Sequence, residues 1–195
     1  MYENEYKNIK LTGMNDLDSF LNLLSDLNEP LELFAIGGTA MVLEGIKEAT
    51  KDIDFLTTEN YDKIKRIFSL AGLKEESSNK VCNIWRLNNI RIDIFYEGFI
   101  LGVPFPDDWK NLSKKIREVG KIKLYLLNWY DIIITKISRS EARDIEDILA
   151  IIKNQKLDIK FLKKRYYSLA ETALISDFDY KFKHLEREYA KRKTN

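Results

Sequence analysis

Three aspartates, a glycine pair and a threonine carry the chemical signal in this chain. Ile36-Gly37-Gly38-Thr39 is followed, one short helix later, by Lys51-Asp52-Ile53-Asp54-Phe55, and further on by Arg91-Ile92-Asp93-Ile94-Phe95. Side chains alternate along a strand, so Asp52 and Asp54 share one face while Ile53 and Phe55 take the other. Two carboxylates one pleat apart offer the hard oxygen donors that hold Mg²⁺ together with substrate phosphates. Gly37-Gly38 lets the backbone come close to a ligand. The start of the helix that follows offers N–H groups to a phosphate, with the Thr39 hydroxyl beside them. An aspartate in mid-strand is disfavoured and needs a reason. Asp93 lies opposite the apolar face of Ile90, Ile92 and Ile94. It is either a third carboxylate beside the first two, if its strand neighbours theirs, or an acid paired with Arg91.

Composition narrows the chemistry. The chain has 195 residues, 45% of them hydrophobic and 32% charged, which is too much apolar material for a disordered chain and enough for a core. Lys and Arg number 32 against 31 Asp and Glu, so the chain as a whole is not a polybasic binder. One cysteine, Cys82, and one histidine, His184, exclude an internal disulfide and an ordinary Cys/His zinc site. They leave a Ser-His or Cys-His hydrolase only His184, in a charged tail. Chemistry here falls to carboxylates, lysines or backbone. Met1 to Lys10 is polar, and no apolar stretch approaches the roughly 20 residues of a membrane span, so the expectation is a cytoplasmic protein without a signal peptide or membrane partner.

The elements that must position these residues are readable in outline. Leu17, Phe20, Leu21, Leu24 and Leu27 form a helical stripe with an N-cap candidate at Asn15-Asp16, and Pro30 closes it. Leu31–Ile36 reads as a strand entering the glycine turn, Thr39–Ile46 as a short helix, Ile53–Thr57 as a strand and Tyr61–Leu70 as a helix. Val81–Leu87 and Ile90–Tyr96 flank Asn88-Asn89, which predicts a hairpin because Asn tolerates positive φ. Gly98–Asp108 reads as a loop, Leu112–Val119 as a helix and Lys121–Tyr125 as a strand, with helices from Leu127 onward. Only the first strand–helix–strand passage has the form of a parallel crossover. The expected fold is α+β, with a mixed sheet flanked by helices over residues 1–125 and a helical region over 126–195. The two parts differ in charge, with 17 basic and 20 acidic residues in the first and 15 and 11 in the second.

In this order the passages around Gly37-Gly38, Asp52/Asp54 and Asp93 resemble the nucleotidyltransferase superfamily that includes DNA polymerase β. Ala49-Thr50-Lys51-Asp52-Ile53-Asp54-Phe55 is similar to small prokaryotic members related to the AbiEii-type toxins, with Lys47 or Lys51 where those often carry an arginine. Val103-Pro104-Phe105-Pro106, Lys136-Ile137-Ser138-Arg139 and Arg143-Asp144-Ile145-Glu146-Asp147-Ile148 resemble a loop and a helical segment of the same proteins. The resemblance implies two Mg²⁺ ions on Asp52, Asp54 and Asp93, with Asp93 also helping to activate an acceptor hydroxyl. It implies a nucleoside triphosphate as donor, with Gly37, Gly38, Thr39, Lys51, Lys136 and Arg143 around its phosphates. Lys136 and Arg143 are seven residues apart and share a face if one helix runs through them. Asp144 and Asp147 then either assist the chemistry or fix these cations. The acceptor expected from the resemblance is tRNA or protein, with a cognate antitoxin or toxin as partner. A non-catalytic nucleotide- or partner-binding member and a metal-dependent phosphohydrolase are the other readings of the same residues.

Overall fold

The computed structural model describes residues 11–79 and 82–193, the side chain of Lys193 excepted. Most of the predicted polar lead-in and Val81, the predicted first residue of the hairpin, lie outside the described residues. In chain order the elements are α1 (Met14–Ser25), β1 (Leu31–Ala35), α2 (Gly37–Leu43), β2 (Ile53–Thr57), α3 (Tyr61–Leu70), β3 (Lys74–Ser78), β4 (Cys82–Leu87) and β5 (Ile90–Tyr96). There follow β6 (Phe99–Ile100), β7 (Val103–Pro104), β8 (Lys114–Val119) and β9 (Ile122–Leu126), then α4 (Trp129–Arg139), α5 (Ala142–Gln155), α6 (Ile159–Thr172) and α7 (Phe178–Lys193). They form two compact units. One runs through Gly98 and includes Lys114–Leu126; the other comprises Phe99–Ser113 and the chain from Leu127 onward.

The first unit is a seven-stranded mixed sheet in the order β3-β4-β5-β2-β1-β9-β8. α1 and α3 cover one face. Their apolar stripes, Leu17, Phe20, Leu21 and Leu24 with Ile64, Ile67 and Phe68, pack with Ile53, Phe55, Trp85, Ile92 and Ile94 of the sheet. Phe20 stacks on Phe55 at 6.0 Å, and Phe68 meets Trp85 edge-on at 5.4 Å. Alternation then puts Asp52, Asp54, Arg91 and Asp93 on the other face. α1 is capped at Gly13, not at Asn15-Asp16: the Gly13 N–H donates to the Asp16 carboxylate at 3.1 Å, so Asp16 is the reciprocating acid of the first turn. The helix ends at Ser25, well before Pro30, and Asn28 turns the chain with φ +57°.

Three expectations are corrected. β1 and β2 are antiparallel, not a parallel crossover; the parallel pairs are β1 with β9 and β2 with β5. α2 has 7 residues, about 10 Å of helix, and the chain re-enters the sheet at the end where it left. Leu112–Val119 does not hold a helix but the strand β8, and β3 occupies a stretch that carries no strand signal. Both are edge strands with a register shift, and their Lys- and Glu-rich sequences, KKIREV and KEESS, suit an edge that must not pair further. The predicted 98–108 loop also contains the two-residue strands β6 and β7.

The second unit is a set of four helices with that small hairpin. Arg165 of α6, 8% exposed, bonds the fully buried Asp131 of α4 through Nε and Nη2 at 2.6 and 2.8 Å, and reaches Asp108 at 3.0 Å. Tyr166 packs on Phe182 of α7 at 5.1 Å. No helix among the described residues is long and apolar enough to cross a membrane.

Candidate active site

The antiparallel return from β1 to β2 builds the site. It brings the Gly37-Gly38 turn, which leaves β1, against the start of β2. Gly37 has φ +53°, and a Cβ there would lie 3.0 Å from the Asp54 Oδ2. At Gly38 a Cβ would fall 2.0 Å from the Thr50 hydroxyl oxygen and 2.8 Å from the Thr50 Cβ. The first glycine is required by conformation as well as contact, the second by contact alone. Thr39, 2% exposed, accepts the Asp54 N–H at 2.8 Å through Oγ1, and its hydroxyl lies 3.4 Å from the Asp52 carbonyl. Its oxygen therefore pins the backbone of both aspartates to α2.

The parallel pairing of β2 with β5 sets Asp54 directly beside Asp93, one strand spacing away, and Ile53 beside Ile92. Asp52, Asp54 and Asp93 are thus together on the face opposite α1 and α3. Asp93 is 7% exposed, and Arg91 grips both its oxygens through Nε and Nη2, each at 2.7 Å. Both readings of Asp93 made from the sequence are accordingly present in one arrangement, a third carboxylate and a partner of Arg91. Burial raises the Asp52 carboxyl above the usual aspartate range; the Arg91 charge opposes this and the Asp93 charge adds to it. Cys82 neighbours Phe95 on β5 and faces the same side. Burial, reinforced by the Asp93 and Asp54 charges, pushes its thiol up to about 12, so it is no nucleophile. Among the described residues no group of three or more His, Cys, Asp or Glu is arranged to hold a metal ion. The Arg91 guanidinium is the cation that Asp93 holds.

The residues expected from the helical part lie in the second unit. One helix does not run from Lys136 to Arg143: α4 ends at Arg139, Ser140 turns with φ +58°, and α5 begins at Ala142. The two cations therefore share no helix face. Lys136 is 5% exposed, and its ammonium bonds Asp147 at 2.7 Å and Asp144 at 3.4 Å. Asp144 also takes Arg139 at 2.6 and 3.0 Å and the Glu141 N–H at 2.9 Å. Burial pushes the Asp144 carboxyl up, but the Arg139 bonds and the Lys136 and Arg139 charges outweigh it, and the net shift is downward. Arg143 is exposed. The packing of Thr50 against Gly38 and the Arg165–Asp131–Asp108 network had no signal in the sequence, because each joins residues far apart along the chain.

The sequence model of a family described as "Nucleotidyltransferase of unknown function (DUF6036)" matches residues 12–195. The chain belongs to the DUF6036 nucleotidyltransferases. By family it is a nucleotidyltransferase. The solution structure of the antibiotic-resistance factor ANT(2'')-Ia is similar in fold to this DUF6036 protein, with TM-score 0.60 and 12% identity over 92% of this chain and 99% of that one. The crystal structure of ANT(2'')-Ia in complex with adenylyl-2''-tobramycin aligns with TM-score 0.58 and 11% identity over 80% of this chain and 97% of that one. At such identity the likeness is one of fold. No curated protein matches the chain.

Proposed function

We propose that this DUF6036 protein moves a nucleoside monophosphate from a nucleoside triphosphate to an acceptor hydroxyl, with Asp52, Asp54 and Asp93 holding two Mg²⁺. The observation that carries this reading is the register that puts Asp93 level with Asp54 against the Gly37-Gly38 turn. The donor types suit Mg²⁺, with three carboxylates on one face, but Arg91 takes both Asp93 oxygens and would have to give up at least one of them for Asp93 to join an ion. Mg²⁺ bound there would neutralise the triphosphate and polarise the attacking and leaving oxygens.

The chain's own part is positioning. Thr39 fixes the β2 backbone, so Asp52 and Asp54 present their oxygens without reorganisation. Gly37 and Gly38 let the β1–α2 turn close against Asp54 and Thr50, and this turn and Lys51 are assigned to the triphosphate. The acceptor oxygen attacks the α-phosphorus, the bond to the bridging oxygen breaks and pyrophosphate leaves; Asp93 assists removal of the acceptor proton. Exposed Arg143 is the helical cation available to a polyanion, while Lys136 holds α4 to α5. The acceptor is proposed to be tRNA or protein, with a cognate antitoxin as partner, in keeping with the resemblance to AbiEii-type enzymes. A small hydroxylated molecule, as in the adenylyl-tobramycin complex of ANT(2'')-Ia, is the third arm of the test.

The protein is incubated with Mg²⁺, α-labelled nucleoside triphosphates, total RNA and cell extract, beside an Asp52→Ala/Asp54→Ala control. Label that is lost to ribonuclease or to protease, or that migrates as a small molecule, identifies the acceptor and must vanish in the control. Triphosphate binding without any labelled acceptor would count against transfer and for a non-catalytic binding protein.

A further inference from the structure

We propose that Arg86 and Arg91 form a phosphate-binding subsite on the acceptor side of the aspartates, so that the hydroxyl that receives the nucleotidyl group belongs to the end of a polynucleotide strand. This inference rests on the transfer reading of the site, to which it adds an acceptor class and two specificity residues.

The pair follows from strand register. Arg86 of β4 lies directly opposite Arg91 of β5, as Ile84 lies opposite Asp93. Arg91 and Asp93 are two residues apart on one strand, so Arg86 shares the face that carries the aspartates. Along the sheet order β3-β4-β5-β2 the charges run Glu76, Arg86, Arg91 with Asp93, then Asp52 and Asp54. Arg86 takes Glu76 through Nε and, at 3.0 Å, through Nη2. Arg91 takes Asp93 through the same two atoms. Neither set of bonds uses Nη1, and both arginine side chains are 40% exposed. Burial raises the Asp52 carboxyl, and the charges of Arg91 and Arg86 both act against it, so both guanidinium groups stand within electrostatic reach of the aspartates.

Like charges directly opposite on neighbouring strands repel, and an anion that bridges them relieves the repulsion. The guanidinium fork matches the oxygens of a phosphate. The Gly37-Gly38 turn, assigned to the triphosphate, leaves β1, on the far side of β2 from β5. β4 is two strand spacings from β2, about 10 Å, on the other side. The arginine pair therefore meets what approaches Asp93, the carboxylate assigned to the acceptor proton, from the β4 side. That placement selects the acceptor. The last nucleoside of a strand carries its hydroxyl and its phosphate on one sugar, so the anion comes at a set reach from the reacting oxygen. A protein hydroxyl brings no anion at a set reach, and a cationic small molecule would be repelled.

The test follows binding of a short labelled single-stranded RNA to the full chain in Mg²⁺, without nucleoside triphosphate, by fluorescence anisotropy. One form of the RNA has phosphodiesters throughout; the other has uncharged methylphosphonates at its last linkages. The parent should bind the methylphosphonate form about tenfold more weakly, the loss of one charge-assisted contact. Arg86→Gln should bind the phosphodiester form about tenfold more weakly than the parent does, and should not distinguish the two forms. It should melt close to the parent, because Glu76 is exposed enough to be hydrated when its partner goes. Equal affinity of the parent for both forms would overturn the proposal, whatever the variant does. So would an Arg86→Gln protein that still prefers the phosphodiester form as strongly as the parent, or nucleotidyl label that reaches protein and never RNA. Absence of any labelled acceptor, with the phosphate preference and its dependence on Arg86 intact, would contradict transfer and uphold the subsite.

Discussion

At the residue scale the site gathers negative charge, and the Arg91 guanidinium is bonded directly to Asp93. Asp93 is nearly buried, sits level with Asp54, and has both oxygens on Arg91. Removing Arg91 leaves that carboxylate without its partner. Arg91 is itself 40% exposed, so solvent moderates the loss, and Arg91→Met should cost about 1–3 kcal/mol in the absence of divalent cation. If the carboxylates hold Mg²⁺, added Mg²⁺ should raise the melting temperature of Arg91→Met more than that of the parent, since the ion no longer competes with the guanidinium. Equal shifts in the two proteins would argue that Asp93 is no metal ligand. The aspartates were legible in the sequence because strand alternation and mid-strand depletion single them out. The depth of Asp93 was not, since burial depends on β4 and β2 closing on both sides of it.

At the element scale two junctions matter. The first is the turn from β1 into α2, where Gly38 has no space for a methyl group beside Thr50. Gly38→Ala should cost about 1–3 kcal/mol, read by chemical denaturation, and should lower activity by shifting Thr39 and the β2 backbone. The second joins α4 to α5 through Lys136, Asp144 and Asp147. Lys136→Met removes the buried cation that Asp144 and Asp147 share, while Arg139 stays on Asp144, and should cost about 3 kcal/mol. Asp144 has a lowered carboxyl, so its contribution is present above the ordinary aspartate range and is lost as pH falls through the lowered value. Asp144→Asn should therefore be less stable than the parent at neutral pH, with the gap closing below about pH 4. Apolar periodicity made α1 and α3 readable, and the Asn88-Asn89 turn between two β-rich runs made the β4–β5 hairpin readable. The edge strands β3 and β8 were not, because an edge that must resist further pairing carries the charges of a helix surface.

At the scale of the whole molecule a carboxylate-bearing sheet unit accompanies a helical unit that is held by its own buried ion pairs. The surplus of basic residues in the 126–195 region is partly consumed there: Lys136 and Arg165 are buried and paired with aspartates. The direction of the chain through the sheet was the feature least legible in the sequence. The antiparallel return into β2 and the parallel partnership with β5 depend on which strands become neighbours, which no local pattern encodes. Those two facts nevertheless make the site, and the central claim is that it transfers nucleotidyl groups. The most direct measurement follows two labels on the same nucleoside triphosphate, one on the α-phosphate and one on the γ-phosphate, in the presence of Mg²⁺ and acceptor. The account predicts that the α-label moves to the acceptor while the γ-label leaves as pyrophosphate, and that both events cease in Asp54→Asn. Transfer of the γ-label to the acceptor, or its release as orthophosphate without acceptor labelling, would contradict it.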